Sequence, residues 1–268
     1  MILRWNFRRL PALFRNAIVR LPGSNFAEGL TTAALGVPHF EQVLEQHGRY
    51  CEALKQCGLT IMTLEADPDY PDSTFVEDTA VLTARCAILA RTGAPSRAGE
   101  SAAIRETLQR FFPALGEIQP PGTLDGGDIC EAEEHFFIGL SQRTNEEGAR
   151  QLAGHLAGAG YSSSVIDIRG MTSILHLKSG ISYIGGNTLV AIEEMAGNPQ
   201  FRKYETIRVA LEESYAANCV RVNERVLVAA GYPYLTAELA RRGFSALVLE
   251  MSEFQKMDGG LSCLSLRF

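Results

Sequence analysis

The sequence has no uninterrupted hydrophobic run of the length that crosses a membrane, so we expect a protein without transmembrane segments. The first residues alternate arginines with apolar residues and never form the continuous apolar core of a signal peptide. We interpret residues 1–15 as an N-terminal extension. Because no linker or low-complexity segment divides the rest of the chain, we expect one domain over residues 16–268.

Closely spaced cysteine pairs are absent as well. The six cysteines are dispersed over the chain, and none forms the C-x-x-C spacing of zinc or dithiol redox sites. Dispersed cysteines in a chain of this size are typical of a reducing compartment, so we expect a cytoplasmic protein without disulfide bonds. The cysteines are Cys51, Cys57, Cys86, Cys130, Cys219 and Cys263.

The chain has no excess of basic residues. It contains 25 Lys and Arg against 31 Asp and Glu, a formal net charge of -6, which leaves no broad basic surface for nucleic acid. A weakly acidic protein slightly favours cationic ligands. Hydrophobic residues make up 46% of the 268 residues, which is typical of a globular protein that buries a sizeable core.

What the sequence does contain is a repeated order of elements. Turn residues and hydrophobic periodicity predict five passes of strand, strand, helix and strand, each of roughly 45 to 50 residues. This favours modules repeated around an axis over an ordinary doubly wound sheet. Polar residues recur at similar points of the passes, namely Asp78, Asp125 or Asp128, His176, Asn218 and Cys263.

The end of the chain presents a cysteine just after a glycine turn. A short strand is predicted to follow the two glycines. On a strand, Leu264 and Leu266 share one face, while Cys263 takes the other face, where a substrate could reach it. A lone cysteine is more often a small buried hydrophobic residue, so both interpretations stay open.

His176 and Asp125 are the next candidates for chemistry. A predicted strand places His176 on the face opposite its two leucine neighbours, and histidine is the commonest general acid and base, although a satisfied core histidine is the alternative. Asp125 precedes two glycines that let a backbone or ligand approach closely, although Asp-Gly is also a common turn dipeptide.

Two acids and two arginines complete the candidates. Glu77 and Asp78 lie in an apolar segment predicted as a strand, where adjacent side chains face opposite ways and at least one acid points inward. An unpaired buried carboxylate is expensive, which indicates a cationic ligand or an arginine partner, with a structural salt bridge as the competing interpretation. Arg97 and Arg143 each follow a strand and have the planar group that binds carboxylates, although single arginines are often simply solvated.

Seven short motifs in this chain resemble those of the dimethylarginine dimethylaminohydrolase family and stand in the same order. The resemblance extends from about Ala17 to the end, and the motifs are specific jointly rather than singly. It implies a five-bladed α/β propeller (pentein) of ββαβ modules around a central site, in agreement with the predicted repeat. The motifs are Phe-Val-Glu-Asp (75–78), Gly-Ala-Pro-Ser-Arg (93–97), Thr-Leu-Asp-Gly-Gly-Asp (123–128), Gly-Leu-Ser-Gln-Arg-Thr-Asn (139–145), Leu-His-Leu-Lys-Ser (175–179), Ala-Asn-Cys (217–219) and Met-Asp-Gly-Gly-Leu-Ser-Cys (257–263).

The resemblance implies cleavage of Nω-methylated arginines to citrulline and methylamine or dimethylamine. Cys263 resembles the nucleophile that attacks the guanidinium carbon and forms an S-alkylthiouronium intermediate. His176 resembles the general acid and base, and Asp125 resembles the acid that orients it. Because a cation stabilises a thiolate, the substrate itself can activate Cys263.

The resemblance also implies the residues that bind an amino-acid substrate. Carboxylates would hold the guanidinium and the α-amino group, arginines would hold the α-carboxylate, and a loop of the bacterial type would cover the site. The matching residues are Asp78 with Glu77 in support for the guanidinium, Asp72 and main-chain carbonyls near Met257 for the α-amino group, Arg97 and Arg143 for the α-carboxylate, Asp258 in the same site, and Phe26 in the covering loop 21–30.

The resemblance implies neither cofactor nor resident metal, and zinc would act only as an inhibitor that bridges Cys263 and His176. The expected partner is a small methylated-arginine substrate rather than nucleic acid or a membrane, and a homodimer is the oligomer to consider. Two alternatives stay open. One is an arginine or agmatine deiminase with the same thiol chemistry, and the other is a non-catalytic five-fold propeller that only binds.

Overall fold

The structure is a computed structural model that describes residues 13–268. Most of the N-terminal extension predicted for residues 1–15 therefore lies outside the described residues. Near the N-terminal end of these residues, the Phe14 amide donates a hydrogen bond to Asn223 Oδ1, and the Arg15 amide donates one to the carbonyl of Phe268. Within residues 13–268, none of the helices combines the length and the apolar content that a membrane span needs.

The described chain forms fifteen strands, grouped in five sheets of three. In chain order they are β1 (Asn16–Arg20), β2 (Thr60–Leu64), β3 (Ala80–Leu82), β4 (Ala87–Leu89), β5 (Leu115–Glu117), β6 (Ile129–Ala132), β7 (His135–Leu140), β8 (Ser162–Asp167), β9 (Ile181–Gly185), β10 (Thr188–Ile192), β11 (Glu205–Val209), β12 (Val220–Val222), β13 (Arg225–Ala229), β14 (Ser245–Leu249) and β15 (Leu266–Arg267).

Seven α-helices connect or flank these strands in the described residues. They are α1 (Phe40–Gln56), α2 (Ser101–Leu108), α3 (Glu146–Gly158), α4 (Leu177–Gly180), α5 (Glu193–Ala196), α6 (Pro233–Arg241) and α7 (Ser252–Gln255).

Every sheet repeats one pattern of pairing. The middle strand is antiparallel to the strand at one edge and parallel to the strand at the other, as in the order β3-β4-β5. The parallel pair needs a crossover connection, and a helix supplies it in each sheet. The predicted order of strand, strand, helix and strand is therefore confirmed.

The fifth sheet is built from both ends of the described chain. β15 pairs with β1 in antiparallel fashion, with Ala17 opposite Arg267 and Ile18 opposite Leu266, and β1 then runs parallel to β2. Because these pairs hold the last residues against the first strand, the segment that carries Cys263 is anchored within a sheet on its C-terminal side.

The short first strands of the modules meet at the interior of the molecule. β15 contacts β3, while β9 contacts both β6 and β12. Five three-stranded sheets arranged in this way, each with its crossover helix, confirm the predicted five-bladed α/β propeller. The strand β10 illustrates the resulting core, because all five of its residues are buried between covered faces.

The sequence predicts a helix after Pro38 that stops at Gly58, and α1 extends from Phe40 to Gln56. Of the apolar residues at helical spacing, Val43 and Leu54 are fully buried, whereas Phe40 and Leu44 are 36% and 41% exposed. Tyr50 takes their place in the core, and its hydroxyl is hydrogen-bonded to Ser265 Oγ at 2.6 Å. A tyrosine is buried readily when its hydroxyl has a hydrogen-bond partner.

Two strands, β6 and β9, were missed by the sequence analysis. Each carries residues that weaken a strand pattern, a glutamate in β6 and a serine and a glycine in β9. Both are inner strands that pair with the middle strand of their sheet, β6 with the longer strand β7 and β9 with β10 of equal length. Tertiary pairing thus stabilised segments whose local propensity is low.

Candidate active site

A small cavity of about 30 Å³ collects most of the predicted site residues. Eight of the eleven line it: Asp72, Asp78, Arg97, Arg143, His176, Met257, Asp258 and Cys263. Four further lining residues, Leu30, Phe75, Leu175 and Gly259, were not named as site residues from the sequence. Apolar residues beside polar candidates carry no sequence signal of their own, although Phe75, Leu175 and Gly259 belong to the quoted motifs.

Cys263 lies on a 3-10 turn, Ser262–Leu264, and not on the predicted terminal strand. Its amide donates a hydrogen bond to the carbonyl of Gly260, which winds the backbone before β15 begins. The turn leaves the thiol half-buried at the cavity, and the Gly260 amide donates to Sγ at 3.4 Å. The thiol therefore faces the cavity because of a helical turn and not because of strand alternation.

The surroundings of Cys263 keep its thiol protonated in the absence of a cationic ligand. Burial raises the pKa of the Cys263 thiol to about 12, and the negative charges of Glu77 and Asp78 act in the same direction. The Gly260 amide and the charge of Lys178 oppose these effects. A nucleophilic thiolate at this position therefore requires an additional positive charge.

His176 also departs from the predicted strand. It is an extended residue directly before the short helix α4, and its side chain is buried next to the cavity. Gly127 makes this position accessible, since a Cβ there would lie 2.8 Å from His176 Nδ1 and 2.9 Å from Asp78 Oδ1. The predicted role of the glycines in allowing close approach thus has a structural counterpart.

Three carboxylates surround the His176 imidazole. Burial lowers the pKa of His176, but Asp78, Asp128 and Asp125 together outweigh it and raise the pKa to about 9. The imidazole is therefore the protonated imidazolium at neutral pH, and it can donate a proton from the outset.

Asp125 does not line the cavity but lies behind His176. It is fully buried, and its Oδ2 lies 3.1 Å from His176 Nε2. Its Oδ1 accepts a hydrogen bond from the Gly93 amide at 2.7 Å. These two partners hold the carboxylate in place, so Asp125 is arranged to fix the orientation of the ring.

Asp128, the second acid of the Asp-Gly-Gly-Asp motif, fixes the chain segment of His176. Its Oδ1 accepts a hydrogen bond from the Leu177 amide at 3.0 Å, and its Oδ2 accepts bonds from the hydroxyls of Ser141 and Thr144. Burial raises the pKa of Asp128, and the charge of His176 opposes this. The sequence offers Asp128 only as an alternative to Asp125, but in the structure both acids contribute: Asp125 contacts the His176 ring, and Asp128 binds the backbone directly after it.

Asp78 and its neighbour Glu77 occupy a 3-10 turn, Val76–Thr79, and not the predicted strand, which begins only at Ala80. Because residues on a turn need not alternate, both acids are buried. Burial raises the pKa of Asp78, but the positive charges of His176 and Arg97 outweigh it and lower the pKa to about 2. Asp78 is therefore a carboxylate at the cavity wall throughout the physiological pH range.

Arg97 is buried and already paired. Its Nη1 lies 2.6 Å from Asp78 Oδ2, and its Nε and Nη2 donate to the two carboxylate oxygens of Glu100 at 2.9 and 2.7 Å. Burial opposes the charged form of Arg97, but the charges of Asp78 and Glu100 keep its pKa well above the ordinary value. The predicted arginine partner of the buried acids is present, and Glu100 is a further buried acid that the sequence analysis did not identify.

Arg143 lies at the other arginine position of the cavity wall. It belongs to the loop between β7 and α3, which is held by the Asn145 side chain at the N-terminus of α3. The Arg143 amide donates to Ser141 Oγ at 2.9 Å, whereas the described residues provide no hydrogen bond to its guanidinium. Within residues 13–268, the guanidinium of Arg143 thus keeps its donors available to a ligand, whereas the guanidinium of Arg97 is already bound to Asp78 and Glu100.

Two acids at the cavity hold the loop that covers it. Both carboxylate oxygens of Asp72 accept a hydrogen bond from the Leu30 amide, at 3.1 and 3.2 Å. The Asp258 Oδ2 accepts from the Thr32 hydroxyl at 2.9 Å and from its amide at 2.5 Å. Asp258 adopts a φ of 55°, which aspartate visits more readily than most residues. These hydrogen bonds hold the end of the covering loop, Leu30, and the following Thr32 against the cavity.

Phe26 and Glu77, which the resemblance places among the substrate-binding residues as part of the covering loop and as support for Asp78, do not line the cavity. Phe26 is 1% exposed and packs against the rings of Phe75 and Phe254, because a large apolar side chain gains more by burial than at a polar wall. Glu77 forms an ion pair with Lys178, and its Oε2 accepts from Ser262 Oγ at 2.6 Å. Glu77 therefore lies under the Cys263 turn.

Asp78, Asp125 and His176 together form a poor metal site. Donor atoms of Asp78, Asp125 and His176 lie within 4.8 Å of one another. However, Arg97 and the Gly127 amide already bind the oxygens of Asp78, and the raised pKa of His176 keeps its ring protonated. A divalent cation would have to displace both the hydrogen-bond donors of Asp78 and the proton of His176.

The geometry suits nucleophilic attack on a cationic carbon. The Cys263 thiol and the proton-donating His176 imidazolium line one small cavity. The Asp78 carboxylate and the Arg143 guanidinium lie in the same cavity wall. A ligand with a positive end and an anionic end matches this distribution of charge.

Comparison with known proteins agrees over nearly the whole chain. A family model described as arginine deiminase matches residues 66–214. The N(G),N(G)-dimethylarginine dimethylaminohydrolase of Pseudomonas aeruginosa is 46% identical over 257 residues, which cover 96% of this chain and all of that protein. The protein of the same name from Streptomyces coelicolor is 33% identical over 262 residues, covering 94% and 96% of the two chains.

A solved structure extends the similarity to three dimensions. The Pseudomonas aeruginosa enzyme, as a cysteine-to-serine variant complexed with citrulline, has a TM-score of 0.93 and 45% sequence identity to this chain. The alignment covers 96% of this chain and 100% of that one.

Proposed function

Since the chain belongs to the dimethylarginine dimethylaminohydrolase family, we propose that it hydrolyses Nω-methylated arginines to citrulline and dimethylamine or methylamine. In this proposal the chain is a hydrolase of linear amidines with a cysteine nucleophile, as the relatedness to the dimethylarginine dimethylaminohydrolases supports. The observation that carries the proposal is the meeting of Cys263 and His176 in a cavity whose walls supply acids and Arg143.

The substrate cation activates the nucleophile in this proposal. With a pKa of about 12, the Cys263 thiol is protonated in the free enzyme. A guanidinium placed beside Asp78 puts a positive charge next to the sulfur and lowers the pKa of the thiol, so that its proton leaves to solvent. The thiolate then forms only where its target carbon is already bound.

His176 acts first as an acid. The thiolate attacks the guanidinium carbon and forms a C–S bond, and the C–N bond to the methylated nitrogen then breaks. His176 donates its proton to that nitrogen, so that dimethylamine or methylamine departs as the amine. The product of this step is an S-alkylthiouronium on Cys263 and a neutral imidazole.

His176 then acts as a base. The neutral imidazole takes a proton from a water molecule, and the resulting hydroxide attacks the same carbon. The C–S bond breaks and the sulfur of Cys263 departs as a thiolate, while the proton of the new hydroxyl group is lost to solvent as the carbonyl of citrulline forms. Citrulline is then released. Asp125, 3.1 Å from Nε2, holds the ring in one orientation through both steps and stabilises its charged form.

The remaining wall residues bind the amino-acid end of the substrate. Arg143 binds the α-carboxylate, with Arg97 contributing through its charge, while Asp72 and the main chain near Met257 bind the α-amino group. A cavity of about 30 Å³ has room for little more than a water molecule. We expect the segment that carries Leu30 and Thr32 to move when an arginine-sized ligand enters, which would break its hydrogen bonds to Asp72 and Asp258.

The direct test is turnover of purified protein with four substrates: asymmetric dimethylarginine, monomethylarginine, arginine and agmatine. We expect citrulline from the two methylated arginines and an S-alkylthiouronium adduct on Cys263 in protein quenched during turnover and examined by mass spectrometry. Cys263→Ser should fold normally and form no citrulline. A clear preference for unmethylated arginine, or unchanged turnover by Cys263→Ser, would overturn the proposal.

An arginine or agmatine deiminase is the second candidate, because the matching family model is described as arginine deiminase. That match covers residues 66–214, whereas the similarity to the dimethylarginine enzymes extends over 96% of the chain. The four-substrate assay separates the two activities. A non-catalytic binding protein is disfavoured, since a protein that only binds has no need of a thiol, an imidazolium and an orienting acid together.

The proposal also covers the cofactor requirement, inhibition by zinc, the cellular location and the oligomeric state. The reaction needs no cofactor. Zinc would inhibit by bridging Cys263 and His176, which requires both groups to lose their protons to the metal. Unchanged turnover under added zinc would contradict this inhibition. The six free cysteines suit a reducing compartment, so the cytoplasm is the proposed location. A homodimer is proposed as the assembly, and light scattering after gel filtration tests it.

A further inference from the structure

We propose that Asn218 is a positioning residue that sets the placement of Cys263 relative to His176. Asn218 belongs to the Ala-Asn-Cys motif, for which the mechanism above has no role. It follows a 3-10 turn, Leu211–Ala217, and its side chain is buried outside the cavity lining. The inference rests on the proposed roles of Cys263 and His176.

One amide bridges the two segments that carry the reacting groups. Asn218 Oδ1 accepts a hydrogen bond from the Ser262 amide at 2.9 Å. Asn218 Nδ2 donates to Ser262 Oγ at 3.1 Å and to the carbonyl of Lys178 at 3.0 Å. Ser262 directly precedes Cys263, and Lys178 follows His176 by two residues. The side chain thus ties the nucleophile turn to the helix that begins after the imidazole.

Only an amide satisfies these three partners. Its oxygen faces a main-chain N–H, and its nitrogen faces a main-chain carbonyl, so a group that both donates and accepts is required. A carboxylate of the same shape would place an oxygen against the Lys178 carbonyl and a negative charge near Cys263. An alanine would leave the Ser262 amide and the Lys178 carbonyl without this partner.

The bridge also shapes the turn that holds the sulfur. Gly260 lies against the Asn218 side chain, since a Cβ there would be 2.6 Å from its Cγ and Oδ1. The Gly260 amide in turn donates to Cys263 Sγ at 3.4 Å, the hydrogen bond that favours the thiolate. Loosening Asn218 therefore weakens a bond to the reacting atom, although Asn218 does not touch that atom.

A second connection limits the size of the effect. Ser262 Oγ donates to Glu77, and Glu77 pairs with Lys178, so the same two segments stay linked when Asn218 is removed. We therefore expect displacement of the groups and not collapse of the site. A displacement of about 1 Å near the chemistry costs about 100-fold in rate, which places the expected loss of kcat at about 10- to 100-fold.

The experiment compares Asn218→Ala and Asn218→Asp with a matched control, Asn223→Ala. Asn223 also bridges main-chain segments, accepting from the Phe14 amide and donating to the carbonyls of Phe14 and Cys57, but none of these lines the cavity. The Asn218 variants should lose kcat by about 10-fold or more, with KM nearly unchanged because the substrate ends bind elsewhere. Asn223→Ala should lower the thermal midpoint and leave kcat intact.

Alkylation of Cys263 by iodoacetamide gives a readout that needs no turnover. Peptide mass spectrometry across neutral to alkaline pH should show slower alkylation in both Asn218 variants, most in Asn218→Asp, because the thiol pKa rises. If the wild type forms no citrulline, the proposed function fails while this measurement still tests Asn218. If Asn218→Ala does not fold, as judged by circular dichroism, the isosteric Asn218→Asp carries the test.

Two results would overturn the inference. One is a kcat within about twofold of the wild type in the folded Asn218 variants, since a displaced site loses more. The other is an alkylation profile that superposes on those of the wild type and Asn223→Ala. Either would reduce Asn218 to a residue that contributes only to stability.

Discussion

The Nε2 of His176 lies 3.1 Å from Oδ2 of Asp125, a carboxylate that is fully withdrawn from solvent. The two residues are 51 positions apart in the chain and come from neighbouring modules of the propeller. Because Asp125 has no exposed surface and also binds the Gly93 amide, it cannot turn away from the ring.

Asp125→Asn should separate orientation from charge. The amide keeps the size of the carboxylate but removes the negative charge that helps raise the pKa of His176 to about 9, so that pKa should fall. We expect a loss of kcat of about 100-fold or more and an alkaline limb of the pH–rate profile that moves to lower pH. Asp167→Asn, which changes an exposed acid paired with Arg169, is the matched control and should behave as wild type. A profile of Asp125→Asn that keeps its alkaline limb would contradict this assignment.

The charge of His176 should appear in the pH dependence of stability. Its pKa is raised from 6.5 to about 9 in the folded chain, so its contribution is fully present below pH 6.5 and is lost as the pH rises through 9. The free energy of unfolding in urea should therefore fall over this window in the wild type and fall less in His176→Gln. Parallel curves for the two proteins would show that His176 is not protonated in the native state.

Arg143→Ala should weaken substrate binding more than it slows chemistry. The guanidinium has no hydrogen bond from residues 13–268 and is proposed to bind the α-carboxylate, a charge-assisted contact of about 1.5–3 kcal/mol. We expect KM for dimethylarginine to rise by about 10- to 100-fold with kcat changed far less. Arg150→Ala, at an exposed pair with Glu147, should leave KM unchanged. An unchanged KM in Arg143→Ala would remove Arg143 from the binding site.

Leu189→Ala should destabilise the fold without touching the cavity wall. Leu189 is fully buried in the middle strand β10, and removal of its side chain leaves a void, at a cost of about 2–5 kcal/mol in the free energy of unfolding. Leu211→Ala, at a position that is 77% exposed, should stay within about 0.5 kcal/mol of wild type. Urea titration measures both, and equal midpoints for the two variants would show that β10 is not part of the core.

Much of the architecture could be predicted from the sequence because it depends on periodicity. Apolar runs between turn residues predict strands over residues 135–140, 188–192, 225–229 and 245–249, and β7, β10, β13 and β14 occupy these residues. The inner strands β6 and β9 could not be found in this way, because pairing with a neighbour and not their own composition stabilises them.

The backbone at the site was predicted less well than its residue types. Asp78 and Cys263 lie on 3-10 turns, and His176 lies at the start of a short helix, although strands were predicted for all three. Apolar neighbours suggest a strand wherever they stand, yet at the inner ends of the blades the chain must turn. Hydrogen bonds with distant residues stabilise these turns, such as the bond that the Leu177 amide donates to Asp128 Oδ1.

The sequence by itself determined the order of the modules and the kinds of groups at their ends: a thiol, an imidazole, acids and arginines, each beside glycines or turn residues. These follow from local periodicity and from the chemistry of single side chains. Only the tertiary structure decided which groups share a cavity, that Arg97 pairs with Asp78 whereas residues 13–268 offer no hydrogen-bond acceptor to the Arg143 guanidinium, and that Phe26 belongs to the core. Those outcomes depend on contacts between residues far apart in the chain, which no local pattern records.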